Sequence, residues 1–519
     1  MNRTIALGLL FALFIGAALR FPQLDARPMH NDEGVNAIKL RALWEHGSYR
    51  YDPQEYHGPT LPYISWLWMK LIGPKNFEDF TEAQLRMVTV LFGLGLIGLI
   101  ALVADGLGKW PAICAALLTA ISPAMVFYSR YYIHEMLLVF FTFLALASGW
   151  RWWRSRKLGW ALLTGAAVGL MQSTKETFLL AIVAMIAALI AEHFWSDAQN
   201  AKNQETPTKL SLKHLVAAVI VWLVVAIVLF SSFFTNASGP LDAVRTYLPW
   251  LHRAEGASPH IHAWDFYLHR LAWFHSGKGP LWSEALILFL ALIGLISAFA
   301  RNGVEGDKHF TRFIAFYTVL LTIAYSVISY KTPWCLLNFW QGMILLAGVG
   351  TVALLHWLRK LPVQIIAGCV LLAACGQLAL QARRADVEYA ADPRNPYVYG
   401  QTAPDALNLV ELVQALGKVS PQKNEMLIKV MAPQNDYGPL PWFFRNFNRV
   451  GWWSEIPPDP YAPVMIVSTK FNEAFDKNKT HLMAGLFELR PANWFELYVE
   501  TNLWNSYVTS RNSGVNQGH

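Results

Sequence analysis

Two adjacent carboxylates in Met29-His-Asn-Asp-Glu-Gly34 are the first groups in this chain placed to do chemistry. Asp32 and Glu33 follow shortly after the first long apolar run, so they lie near a membrane surface if that run crosses a bilayer. A carboxylate held there can take a proton from an acceptor hydroxyl or bind a divalent cation. It can equally be structural. Asp32 is a suitable cap for a helix starting near Val35, where Ala37, Ile38, Leu40 and Ala42 favour helix. Glu33 would then sit in the first turn. His30 precedes the pair, and His57 follows in Tyr56-His-Gly-Pro59. With Glu55 these residues offer metal donors, but their spacing matches no compact metal signature, and a loop histidine is more often a hydrogen-bond partner.

Three further short segments carry charge in unusual places. Tyr128-Ser-Arg-Tyr-Tyr-Ile-His-Glu-Met136 holds Arg130 and Glu135 between two apolar runs. They can anchor the ends of the spans or pair with one another. Gln172-Ser-Thr-Lys-Glu-Thr177 sets Lys175 among hydroxyl residues at an expected helix start, a setting that suits a phosphate. Ser329-Tyr-Lys-Thr-Pro-Trp334 sets Lys331 just before a proline suited to a first helical turn. Snorkelling at an interface is the plain alternative for both lysines.

The elements that must position these groups are read from composition. Of 519 residues, 54% are hydrophobic and 15% charged, well below the ~25% charge of an ordinary soluble domain. Eleven spans are expected, at about 5–20, 83–103, 111–128, 135–150, 159–172, 177–195, 214–234, 281–300, 311–329, 334–357 and 361–380, giving a mainly α, polytopic membrane protein. With the N-terminus inside, short basic clusters such as Arg151, Arg154, Arg156 and Lys157, or Arg359 and Lys360, fall on the inner side. The four charged segments above then fall on the outer side. So do the first loop, about 21–82, a second long segment, about 235–280, and everything after about 382. The net charge of +7 reflects this orientation, and no nucleic-acid partner is expected. Cys114, Cys335, Cys369 and Cys375 lie in or beside apolar runs and read as buried hydrophobes.

Two domains are expected: a membrane domain, 1–381, and an extracytoplasmic α/β domain, 382–519, opened by the linker Asp392-Pro-Arg-Asn-Pro396. The second alternates strand-like runs (Met426–Met431, Val464–Val467, Leu486–Leu489) with a helical stretch, Ala406–Leu416. Its Trp442, Trp452, Trp453, Trp494 and Trp504 suit sugar stacking, a core or a membrane surface. Neither a P-loop, a nucleophile elbow, a zincin motif nor a dinucleotide fingerprint is present.

The outer motifs resemble those of the GT-C class of membrane glycosyltransferases, in the protein O-mannosyltransferase and aminoarabinose-transferase superfamily. Asp32-Glu33 is similar to its acidic pair. Ser129-Arg-Tyr-Tyr-Ile-His-Glu135 is similar to its second acidic motif, with Glu135 where the family has Asp, and Lys175 falls where the family places a lysine facing the lipid phosphate. His30-Asn-Asp-Glu-Gly34, Tyr56-His-Gly-Pro59, Ser329-Tyr-Lys-Thr-Pro-Trp334 and Leu489-Arg-Pro491 further resemble the flippase-activity-associated subgroup of archaeal glycosylation loci. The resemblance implies inverting transfer from a polyprenyl-phosphate sugar to a glycan, lipid or protein acceptor at a cell (inner) membrane. Asp32, Glu33 and Glu135 are then the catalytic acids, with Asp32 as general base. Arg130, Lys175, Lys331, His57 and Tyr56 contact substrate. A divalent metal, Mg or Mn, would be held by Asp32, Glu135 and His30. A lipid-linked sugar transporter or flippase component, or a scaffold subunit of a glycosylation complex, is the rival reading.

Overall fold

The computed structural model describes residues 2–54, 57–200, 211–252, 258–300, 305–477 and 479–515, with backbone alone at 197–200, 250–252 and 513–515. Each stretch expected to span is helical. Among the described residues, eight helices are long and apolar enough to cross a membrane, and the chain is a multi-pass membrane protein. Lys109–Ile121 and Pro123–Ser129 form a further candidate span, bent by 57°. The bend has a local cause: Ser122 precedes Pro123 and is driven to an extended conformation, with ψ 121°, because the proline ring clashes with a helical residue before it. Leu158–Gln172 and Ala285–Phe299 are apolar but only 15 residues each. That is roughly 22 Å of helix against a ~30 Å hydrocarbon core.

Small residues let these helices meet backbone to backbone. A Cβ on Gly294 would stand 1.9 Å from the Leu346 carbonyl oxygen, and one on Gly350 would stand 1.8 Å from that of Leu290. Ala285–Phe299 and Leu337–Trp357 therefore touch through reciprocal glycines, the close packing that substitutes for hydrophobic driving force in lipid.

The segment 21–82, after the first membrane helix, holds two α-helices. Asn31–His46 carries the acidic pair, and Thr60–Ile72 is too short at 13 residues to have been expected as a span. After the last membrane helix, which runs to Asp386, comes the α/β domain. Its strands are β1 (Ile428–Met431), β2 (Val450–Trp453), β3 (Val464–Ser468), β4 (His481–Arg490) and β5 (Asn493–Glu500), in sheet order β2-β1-β3-β5-β4. The first three are parallel, and β5 is antiparallel to β3 and β4. The helix Asp405–Val419 buries Leu409, Val413 and Leu416, in one core with β1, β3 and β5.

This domain is docked on the segment 21–82. Gln401 Nε2 and Thr402 Oγ1 donate to the carbonyls of Pro28 (2.9 Å) and Met29 (2.6 Å). Arg445 donates to Phe80 O at 2.8 Å, and the buried Trp442 indole donates to Glu82 at 2.7 Å. Trp442 is thus a docking residue rather than a sugar platform. Replacing Gly294 by Ala should force the two helices apart and destabilise the protein by about 1–3 kcal/mol. A lowered thermal unfolding midpoint in detergent, with the fold otherwise intact, is the expected outcome; an unchanged midpoint would show that the contact yields freely.

Candidate active site

Glu33 is not in the cavity where a catalytic acid would act. It is completely buried, and both carboxylate oxygens are used: Oε1 accepts from Arg86 Nε (2.8 Å), Arg27 (3.2 Å) and the Tyr132 backbone N–H (2.9 Å), and Oε2 accepts from Arg86 (2.8 Å) and the His30 N–H (2.9 Å). Burial alone would raise its pKa, but the Arg86 and Arg27 guanidiniums and these hydrogen bonds outweigh it and hold the carboxyl far below the usual range. Arg130 is also structural. It is buried, donates to Leu19, Arg20 and Gln23 carbonyls, and has its Nε 3.6 Å from Asp386. The expected substrate contact is instead a tie between the first and last membrane helices.

Asp32 is placed differently from its neighbour. The helix starts at Asn31, not near Val35, and its cap is His30, whose Nδ1 accepts from the Asp32 N–H at 3.1 Å while Glu33 closes the capping box. Asp32 is therefore not the cap. Its carboxylate accepts from Asn31 Nδ2 at 3.3 Å and lines the cavity, at the positive end of a helix dipole. Since His30 Nδ1 accepts, its Nε2 donates to Tyr399 O at 3.0 Å, which leaves neither ring nitrogen for an ion. Among the described residues, no three His, Cys, Asp or Glu side chains are grouped to hold a metal. Asp32, Glu135 and His30 do not fit a divalent cation as a set.

Backbone pairing delivers the second half of the site. Gly58 N–H donates to Thr174 O and Thr60 N–H to Ser173 O, both at 3.0 Å. This lays His57 beside Lys175 and Glu176. A Cβ on Gly58 would stand 2.1 Å from Ser173 O, so the pairing requires glycine. The Lys175 ammonium bonds the Glu135 carboxylate, and both are buried. Burial disfavours the charged lysine, but Glu135 outweighs it and the Lys175 pKa is raised. Glu176 accepts from His57 Nδ1 at 3.2 Å. Burial works against its charge, yet His57 and Lys175 hold it down to about 2. His134 packs tilted against His57, ring centroids 4.9 Å apart and planes at 57°. Tyr56 and Glu55 lie outside the described residues.

These groups form one wall of a cavity of about 660 Å³. Trp334, Tyr399, Tyr330 and His260 form an aromatic wall, with Trp334 and Tyr399 centroids 6.0 Å apart. Ser329, Tyr330 and Thr332 line it, but Lys331 does not: its ammonium turns away to the carbonyls of Ile328 and His262, and burial lowers its pKa against the pull of Asp265. Glu176 and His134 were within the motifs read from sequence yet passed over beside Lys175 and Glu135. Tyr399 and Arg490 come from the C-terminal domain; Tyr399 carries no local signal, and Arg490 is marked only by its place in Leu489-Arg-Pro491. Substituting Glu33 by Gln should leave two guanidiniums unpaired in the interior and cost about 3–5 kcal/mol. The check is the yield of folded protein after membrane extraction, which should fall sharply; a wild-type yield would remove Glu33 from its structural role.

Residues 60–238 match the family model described as dolichyl-phosphate-mannose-protein mannosyltransferase. ArnT from Cupriavidus metallidurans, solved bound to undecaprenyl phosphate, is similar with a TM-score of 0.61 at 15% identity, over 96% of this chain and 98% of that one. AglB, the archaeal oligosaccharyltransferase from Archaeoglobus fulgidus, solved with an inhibitory peptide and a dolichol-phosphate, is similar with a TM-score of 0.57 at 12% identity, over 90% of this chain and 70% of that one. The oligosaccharyltransferase of the same organism in its apo form gives 0.56 at 13% identity, over 87% and 64%. No curated protein matches the chain. The chain shares its fold with ArnT and with the Archaeoglobus fulgidus oligosaccharyltransferase.

Proposed function

We propose that the protein transfers a sugar from a polyprenyl-phosphate donor to an acceptor hydroxyl on the extracytoplasmic face of a cell membrane, with inversion at the sugar carbon. The observation that carries this reading is the Asp32 carboxylate. Its helix is already capped by His30, so the side chain is left facing a cavity that it shares with a buried Glu135–Lys175 ion pair.

Asp32 takes the proton of the acceptor hydroxyl as its oxygen attacks the sugar carbon. The bond from that carbon to the phosphate oxygen breaks, and the phosphate leaves with the electron pair. Lys175 faces the phosphate, where negative charge grows in the transition state and a fixed cation in a water-poor site is most effective. Glu135 keeps that ammonium in place and lends the site a second acid for orienting the acceptor. The aromatic wall suits the apolar faces of a sugar ring. The undecaprenyl phosphate and dolichol-phosphate bound by two proteins of similar fold support a lipid phosphate as the carrier, and the C-terminal domain would lie outside with the site.

Sugar transfer from labelled polyprenyl-phosphate donors in membranes, with Asp32→Asn at matched expression, tests this directly. Transfer should fall about 100-fold or more, as expected for losing a general base, while the thermal midpoint stays at the wild-type value because Asp32 caps nothing. Equal transfer by both proteins would remove Asp32 from the chemistry.

A further inference from the structure

Most of the cavity's charged side chains already have partners before any substrate arrives. Its acids are Asp32, Glu135 and Glu176, and its permanent cations are Lys39, Lys175 and Arg490. Lys175 is shared with Glu135, and Arg490 is paired with Asp436. A sugar linked to a lipid through phosphate is a diester with one negative charge. When the sugar leaves, the phosphate becomes a monoester and gains a second. That second charge calls for a further hydrogen-bond donor beside Lys175.

We propose, building on the transferase reading above, that the Glu176–His57 pair supplies it, with His57 as an imidazolium that donates its Nε2–H to the departing lipid phosphate. The geometry fits this division of labour. Glu176 is buried and occupies Nδ1, fixing the ring from behind, while the His57 side chain is 31% exposed and lines the cavity. The Gly58–Thr174 pairing sets this ring beside Lys175, the other group assigned to the phosphate.

The remaining groups around His57 fit the same reading. His134, packed tilted against it, has Nε2 3.2 Å from Gly58 O. Burial, reinforced by His57, Lys39 and Lys175, lowers the His134 pKa well below its usual value, so His134 stays a neutral ring beside His57. Tyr247 donates to the Glu176 carbonyl at 3.3 Å and, like Tyr51, stays a neutral phenol, its pKa raised by burial. Glu176 therefore acts as a positioning residue: it touches no reacting atom and works by orienting and charging His57.

Binding of undecaprenyl phosphate to the purified full-length protein in detergent, at about pH 6 and about pH 8.5, tests the assignment across the range in which histidine changes charge. His57→Gln should bind about tenfold more weakly than wild type at the lower pH, the effect of one lost charge-assisted hydrogen bond. The difference should close at the higher pH, where the wild-type ring is neutral too. Glu176→Gln should shrink the pH dependence in the same direction, and thermal midpoints identify any variant that is merely misfolded. A His57→Gln protein that binds like wild type at both pH values, while Lys175→Met binds weakly, overturns this inference and leaves the transferase reading standing. A deficit equal at both pH values makes His57 structural and also overturns it. If wild type and Lys175→Met bind equally poorly, the lipid-phosphate reading falls and this inference falls with it.

Discussion

The burial of one carboxylate between two guanidiniums holds the site-bearing face of this protein together. Glu33 brings Arg27 from the loop, Arg86 from a membrane helix and the Tyr132 backbone from the second acidic motif to a single point. Taking such charges out of water costs several kcal/mol per ion, recovered only where geometry and hydrogen bonding are complete. Here they are complete at both oxygens, and Arg86 also donates to the carbonyls of Leu24 and Arg27. The loop is therefore fixed on the helix bundle, and the residue next to Glu33 inherits a fixed position. Asp32 faces the cavity because Glu33, one residue on, is anchored in the interior.

The same logic applies on the far side of the cavity. The buried carboxylates there each have a partner, Glu135 in Lys175 and Glu176 in His57, brought together where segments 57–60 and 173–176 hydrogen-bond backbone to backbone. Pairing makes each charge tolerable in a poorly solvated place and holds it still. Preorganisation of this kind is what electrostatic catalysis needs, since no reorganisation is left to be done as charge develops. The aromatic wall opposite adds shape without adding charge.

Much of this was legible in the sequence, for reasons that differ by residue. Apolar runs of span length declared themselves by composition, and Asp32, Glu135 and Lys175 stood out as ionisable groups at the ends of those runs. Residue type could not tell which charges face solvent and which face carbonyls. Glu33, Arg130 and Lys331 had the same credentials as their neighbours and turned inward. The cap was misplaced because His30, an uncommon capping residue, does the work usually given to Ser, Thr, Asp or Asn, although Glu33 three residues on is the partner a capping box requires. Thr60–Ile72 was read as loop because it is too short to span.

The C-terminal domain is where local reading had least to offer, and its placement changes what the domain is for. Tyr399 and Gly400 in its leading segment and Arg490 at the end of β4 line the cavity beside residues from the first loop. The same leading segment hydrogen-bonds His30 and the Pro28 and Met29 carbonyls, which precede the acidic pair. Asp436 holds Arg490 and also meets Lys470 and Asn493, so the cation is braced from within the domain's own sheet. A domain that only presented a surface to a partner would need none of these ties. Its contacts instead make it the third side of the site, with the membrane bundle and first loop as the other two, so the cavity exists only when all three are assembled.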